Sequence, residues 1–185
     1  MRERLIIAGS GGQGLMLAGK ILAMAAMYED KHVTWFPSYG AEVRGGTAHC
    51  MVVISDMEIG APCIDSADTV IAMNKMSADK FKARVARNGL MLVNSSLVGD
   101  MEGDGVSGYP FTETAVRLGD ARVANMVAVG CYLALKKIVE AQTVRRVIEE
   151  IAPAGKEGLI AINHAALEEG MKCAGRGRNY LAKAQ

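Results

Sequence analysis

The sequence predicts an α/β protein: a doubly wound, mostly parallel, Rossmann-like sheet with helices filling its C-terminal part. Three observations predict it. Apolar, β-branched runs recur along the first two thirds of the chain. The first of them, residues 4–8, passes through Gly9-Ser10-Gly11-Gly12-Gln13-Gly14 straight into a long Ala/Leu/Met segment. Strand, glycine turn and helix in that order open a doubly wound sheet. From about residue 112 onward the pattern is helical throughout, so residues 1–185 are taken as a single domain with a helical C-terminal part.

Residues 4–8 suit a strand buried on both faces. Residues 15–28 form helix well and carry one charge, Lys20, so this helix must be covered on more than one side. Residues 32–36 read as the second strand, closed by Pro37, Ser38, Tyr39 and Gly40. Residues 47–54 read as the third and 69–73 as the fourth. Ser77 is the expected cap of a helix reaching about Arg87 and ending at Asn88-Gly89. Residues 90–93 make the fifth strand, and residues 99–108 read as a loop of glycines and acids. Helices are expected from about Thr112, over 123–139, over 143–151 before Pro153, and over 157–173.

Composition excludes several functions. The 185 residues are 50% apolar, with 21 basic and 20 acidic side chains and a net charge of +1. No basic field exists for nucleic acid. The longest nearly apolar stretch, residues 123–135, falls short of the roughly 18 needed to span a bilayer, which argues against a membrane partner. The apolar part of the N-terminus is too short for a signal peptide, and a cytoplasmic location is expected. Cys50, Cys63, Cys131 and Cys173 form no C-x-x-C pair. Together with isolated His32, His49 and His164, they predict reduced thiols, no metal site and no cluster.

Gly9-x-Gly11-x-x-Gly14 matches the dinucleotide fingerprint in its required context. The first glycine permits the turn, the second the approach of a phosphate, and the third the packing of helix on strand. The acid that holds a nucleotide ribose is missing, however. The second strand ends in Phe36-Pro37-Ser38, and Glu29 and Asp30 precede it. The turn is therefore read as a structural or phosphate-binding element. Gly103-Asp104-Gly105 has the opening of a thiamine diphosphate motif without the downstream Asn pair, and is read as a solvated turn. Tyr39-Gly40-Ala41-Glu42-Val43-Arg44-Gly45-Gly46 is the less ordinary feature. It places an aromatic ring, a carboxylate and a guanidinium followed by two glycines at the carboxyl end of a strand, where ligands of open α/β sheets collect. Asn74 and Asn94-Ser95-Ser96 fall on the same edge and read as caps and turns. The twelve methionines pack the core and suit an adaptable contact surface. No Ser–His–Asp or Cys–His arrangement is present, so no residue is assigned a catalytic role.

Gly9 to Gly14, then Ser38-Tyr39-Gly40-Ala41-Glu42-Val43-Arg44-Gly45-Gly46-Thr47-Ala48, then Asn125-Met126 in an apolar helix, resemble the gamma subunit of 2-oxoacid:ferredoxin oxidoreductases. The likeness runs from Leu5 to about Ile151. It departs at Ala41, where the family often has proline. The resemblance implies a multisubunit enzyme that oxidatively decarboxylates a 2-oxoacid to acyl-CoA and CO₂ and passes electrons to ferredoxin. It implies alpha, beta and delta subunits as partners and ferredoxin as a partner of the complex. Thiamine diphosphate, magnesium and iron–sulfur clusters would then sit in those subunits, none on this chain alone. Coenzyme A would be shared with this chain.

The residues expected at a ligand are therefore Gly9, Gly11, Gly12, Gln13, Gly14, Tyr39, Glu42, Arg44, Gly45 and Gly46. Arg44 to Ala48 look more like the 2-oxoglutarate or branched-chain class than the pyruvate class, with 2-oxoglutarate favoured. The alternatives are an indolepyruvate enzyme subunit, a free-standing dinucleotide-binding oxidoreductase and a pure assembly module.

Overall fold

The computed structural model describes residues 1–38, 47–99 and 101–176. Among these residues six strands form one sheet: β1 (Arg2–Gly9), β2 (His32–Ser38), β3 (Ala48–Ser55), β4 (Ala67–Ala72), β5 (Val85–Asn94) and β6 (Val106–Tyr109). Their spatial order is β2-β3-β1-β4-β5-β6. The pairs β1–β4, β4–β5 and β5–β6 are parallel. The sheet is thus the expected α/β sheet with one reversal: β3 runs antiparallel to both β1 and β2. Only residues 39–47 separate β2 from β3, too few for a crossover helix, so the chain must return antiparallel.

Among the described residues seven α-helices accompany the sheet: α1 (Leu15–Tyr28), α2 (Lys75–Phe81), α3 (Ser95–Val98), α4 (Phe111–Arg117), α5 (Ala124–Lys136), α6 (Ala141–Ile151) and α7 (Glu157–Arg176). Side chains alternate along β1. Leu5 and Ile7 face a core shared with α1 and α4 to α7, while Ile6 and Ala8 face one shared with α2. Burial on both sides explains why this strand reads as an unbroken apolar run.

Three sequence expectations are corrected. Asn74, not Ser77, caps α2: its side chain accepts a hydrogen bond from the Ser77 amide at 2.8 Å. The helix ends at Phe81, followed by a 3₁₀ turn over Lys82–Arg84, and does not reach Arg87. Asn88-Gly89 lies inside β5 at an irregularity of the β4–β5 pairing, where Ala67 pairs with Val85 but Thr69 with Leu90. A Cβ on Gly89 would lie 3.0 Å from the Ala67 carbonyl oxygen. This glycine serves a close backbone approach, which mimics the signal of a helix end. Residues 106–109, expected as loop, form β6 and pair with residues 91–94 of β5. Four residues are too few to show an alternating pattern.

The α5–α7 contact is unusually close. A Cβ on Gly130 would fall 2.0 Å from the Leu167 carbonyl oxygen, and one on Gly170 2.0 Å from that of Val127. The helices meet backbone to backbone. Gly130→Ala should force them apart and lower stability by about 1–3 kcal/mol, the usual cost of overpacking a core. Urea denaturation of the purified chain measures it, and an unchanged midpoint would refute the contact.

At the far end of β1, Glu3 is only 4% exposed. The Thr69 hydroxyl donates to its carboxylate at 2.6 Å, and Lys136 Nζ stands 3.5 Å away. Burial raises the Glu3 carboxyl above its ordinary range, and the Thr69 and Lys136 contacts only partly offset this. A raised folded-state value stabilises the fold at low pH, and that contribution fades as pH rises through it. Glu3→Gln lacks the titration. Its stability relative to the parent should therefore improve as pH increases from 4 to 7, as read from denaturation midpoints across that range.

Candidate functional site

The strands β1, β4, β5 and β6 point their carboxyl ends to one edge. After β1 the chain crosses to β2 on one side, whereas β4 lies on the other. The crevice between the ends of β1 and β4 is therefore the topological switch point, where open α/β sheets bind ligands. The glycine turn occupies it.

Steric fit sets the turn. A Cβ on Gly9 would lie 2.3 Å from Gln13 Oε1 and 2.9 Å from Met73 Cβ. Gly14 adopts φ +70°, the left-handed region that glycine enters without strain. Side-chain amides then tie the turn to its neighbours. The Ser10 amide donates to Gln13 Oε1 at 2.7 Å, and Asn74 Nδ2 donates to Ser10 Oγ at 2.6 Å. Fully buried Asn94 donates to the Met73 carbonyl at 3.2 Å and to Thr112 Oγ1 at 2.7 Å, and accepts from the Thr112 amide at 3.2 Å. From α5, Asn125 Nδ2 donates to the Gly14 carbonyl at 3.0 Å.

The resulting edge is polar and uncharged. Ser10, Gly11 and Gly12 are exposed at its crest. No acidic side chain lies in the first turn of α1. Free amides at the start of a helix favour an anionic group. Lys80 adds a positive charge beside it, with Nζ donating to Thr47 Oγ1 at 2.9 Å. Thiol chemistry finds no support here: burial pushes Cys50 up to about 12 and raises Cys131 further. Among the described residues no group of three His, Cys, Asp or Glu side chains is placed to hold a metal ion. No helix among them is long and apolar enough to cross a membrane.

Of the expected ligand residues, Gly9, Gly11, Gly12, Gln13 and Gly14 come together at the crevice. Tyr39, Glu42, Arg44, Gly45 and Gly46 lie outside the described residues. The positions that flank them are described: Ser38 closes β2 and Ala48, which opens β3, pairs with Gly9. Gly103-Asp104-Gly105 precedes β6 and sits at the opposite edge of the sheet, where the Gly105 carbonyl accepts from the Met91 amide at 2.8 Å. The inserted β3 also bears on nucleotide binding. It leaves the carboxyl end of β2 two strand spacings, about 10 Å, from the glycine turn. An acid there would not meet a ribose held at that turn.

Sequence reasoning missed Thr112 and the Lys80–Thr47 contact, which only the sheet order reveals. It also quoted Asn125 without a structural role. The signal was an amide in an otherwise apolar helical segment.

The family described as Pyruvate ferredoxin/flavodoxin oxidoreductase matches residues 4–173. A ketoisovalerate oxidoreductase subunit VorA of Methanothermobacter thermautotrophicus is 40% identical over 92% of this chain. The chain spans only 36% of that relative's length. Among solved structures, a keto/oxoacid ferredoxin oxidoreductase gamma subunit from Geobacter sulfurreducens superposes with a TM-score of 0.85 at 30% identity, over 97% of this chain and 99% of that one. A 2-oxoglutarate:ferredoxin oxidoreductase from Magnetococcus marinus, with 2-oxoglutarate, coenzyme A and succinyl-CoA bound, gives 0.83 at 26% identity. It covers 95% of this chain and 31% of that one.

The amide network has a measurable weight. Asn94→Ala removes three hydrogen bonds at a fully buried position and strands the partners at Met73, just after β4, and at Thr112 on α4. It should lower stability by about 1–3 kcal/mol with secondary structure retained. Circular dichroism and urea titration check both parts, and a loss below the error of the titration would make the network incidental.

Proposed function

The chain belongs to the pyruvate ferredoxin/flavodoxin oxidoreductase family, and on that premise we propose that it acts as the gamma subunit of a multisubunit 2-oxoacid:ferredoxin oxidoreductase. The reaction converts a 2-oxoacid and coenzyme A to acyl-CoA and CO₂, with two electrons passed to ferredoxin. The substrate is 2-oxoglutarate or a branched-chain 2-oxoacid, with 2-oxoglutarate favoured. Thiamine diphosphate, magnesium and the clusters reside on the alpha, beta and delta partners, and the complex works in the cytoplasm. Thiamine diphosphate supplies the carbanion chemistry of decarboxylation there. This chain supports assembly and lends coenzyme A a set of hydrogen-bond donors.

One observation carries the reading. The glycine turn fills the switch-point crevice with Ser10, Gly11 and Gly12 exposed and with its neighbours held by the Gln13, Asn74 and Asn125 amides, which suits a chain that offers hydrogen-bond donors to an anionic ligand. Chain length is compatible with a role for the second expected element near this crevice. Ala48 pairs with Gly9, and Arg44 precedes Ala48 by four residues. At about 3.6 Å per residue its backbone is tethered within about 14 Å of that pair. A guanidinium there can hold a phosphate through paired hydrogen bonds. A free-standing dinucleotide oxidoreductase is disfavoured by the position of β2.

The test is reconstitution. The pure chain, given thiamine diphosphate, a 2-oxoacid and a viologen dye, should show no turnover, and activity should appear when the partner subunits are added. In the assembled enzyme Arg44→Ala should raise the coenzyme A requirement or weaken assembly. It should cost the isolated chain no more than about 0.5 kcal/mol of stability, as for an exposed loop charge. Turnover by the pure chain would sink the subunit reading. Normal assembly with unchanged coenzyme A kinetics would reduce the Arg44 loop to a connection.

A further inference from the structure

The sheet is covered unequally. One face packs against α1 and α4 to α7, the other against α2 and Val98 of α3. Along this second face runs a concentration of positive charge. Residues 75–87 hold five basic side chains and one acid, in a chain whose net charge is +1. Lys75 pairs with Asp79 at 3.3 Å. The cations that follow are held by neutral groups instead. Lys80 Nζ donates to Thr47 Oγ1 at 2.9 Å, Lys82 Nζ to the Glu102 carbonyl at 3.2 Å and Arg84 Nε to the Asp65 carbonyl at 3.3 Å. Lys80 and Arg84 also stand 5.6 and 5.7 Å from the ring centre of Phe81, which is 1% exposed. Arg87 is exposed at the start of β5. Among the described residues none of these four cations is ion-paired, whereas Arg4, Arg122 and Arg145 are. A carbonyl or an aromatic face fixes a cation without cancelling its charge. The stripe is thus held in place and left positive.

Its reach decides what it can bind. Thr47 precedes β3 at the edge that holds the glycine turn, and Asp65 precedes β4 at the opposite edge. The strand between these edges, β4, has six residues. At about 3.3 Å per residue the cations are therefore spread over about 20 Å. A single phosphate cannot meet them all, whereas an extended anionic surface can. The helices α2 and α3 touch on this face and expose Met76 and Leu97, at 57% and 48%. Apolar side chains beside arginine suit a protein partner. Nucleic acid would call for a basic excess that the chain lacks.

We propose that this face, with Lys80, Lys82, Arg84 and Arg87 along it, docks an acidic surface of a partner subunit whose carboxylates lie along the stripe. This rests on the reading of the chain as a subunit. It adds which face is covered and the chemistry that covers it. Such charges steer association and are screened by salt.

The test uses the assembled complex. A zero-length carbodiimide reagent joins a lysine amine to a carboxylate in contact with it. Lys80 and Lys82 should be recovered by mass spectrometry in amide links to Asp or Glu of a partner subunit. Both amines should be shielded from acetylation in the complex but not in the isolated chain. Lys82→Glu/Arg87→Glu reverses two charges remote from the glycine turn. The double variant should keep the circular dichroism of the parent. It should associate about tenfold more weakly at low ionic strength, with the difference fading at high salt. Lys20→Glu, at an exposed position of α1 across the sheet, should associate as the parent does.

Equal acetylation of Lys80 and Lys82 in the complex and in the isolated chain, with no link to a partner, overturns the proposal. Equal weakening by Lys20→Glu does so too, since the effect would then be one of net charge. Normal assembly of the double variant with a raised coenzyme A KM gives the stripe to the ligand's phosphates and rejects a protein partner. Should the double variant fail to fold, the labelling result decides alone. If the parent chain does not join the subunits, the subunit reading fails and this one with it. If it joins while the stripe stays open, this one alone fails.

Discussion

Close packing against glycines is the constraint on which this molecule depends. It forms a relay through glycines. α7 meets α5 at Gly130 and Gly170, α5 meets the turn at Gly14, and the turn meets the end of β4 at Gly9. At each step the volume of one methyl group is already occupied. Interiors packed to this density do not deform by fractions of an ångström without cost. The turn is therefore located by the whole C-terminal helical layer as well as by the strand and helix it joins. That gives the final helices a purpose a βαβ unit alone would not require.

The chemistry at the crevice follows from the same economy of side chains. Glycine, serine, asparagine, glutamine and threonine leave the edge uncharged, and Lys80 supplies a nearby cation. Of the titratable groups with raised values, Glu3 sits at the amino end of β1, and Cys50 and Cys131 are sealed in the core. Tyr109, which burial pushes up to about 12, lies at the carboxyl edge of the sheet, where it pairs with Asn94.

The sheet was legible because β1 and α1 are long, apolar and punctuated by glycine, and α1 was read at its observed limits. What was misread has local physical causes. Gly89 mimics a helix terminator because glycine answers equally to a positive φ and to a close approach; here Ala67 presses on it and no helix ends there. Ser77 resembled a cap, but Asn74, three residues earlier, has the side chain that reaches the free amide. The reversal at β3 could have been drawn from the shortness of residues 39–47. The site was half legible. The glycines announce a turn, whereas Asn94 bridging β4 to α4, and Asn125 reaching Gly14, are pairings across distances that no local pattern encodes.

The reversed strand shapes the crevice most. In an all-parallel arrangement β2 would lie beside β1, and its carboxyl end would offer the ribose acid next to the glycine turn. With β3 inserted, the neighbour of Gly9 is Ala48, at the start of a strand. On this side the neighbour of the turn is thus the start of a strand rather than the end of one. A sheet ordered in this way keeps the glycine turn at the switch point and moves the end of β2, where a ribose-binding acid would stand, away from it. The missing acid then no longer contradicts the glycine turn: with β3 between β1 and β2, an acid at the end of β2 would stand away from it.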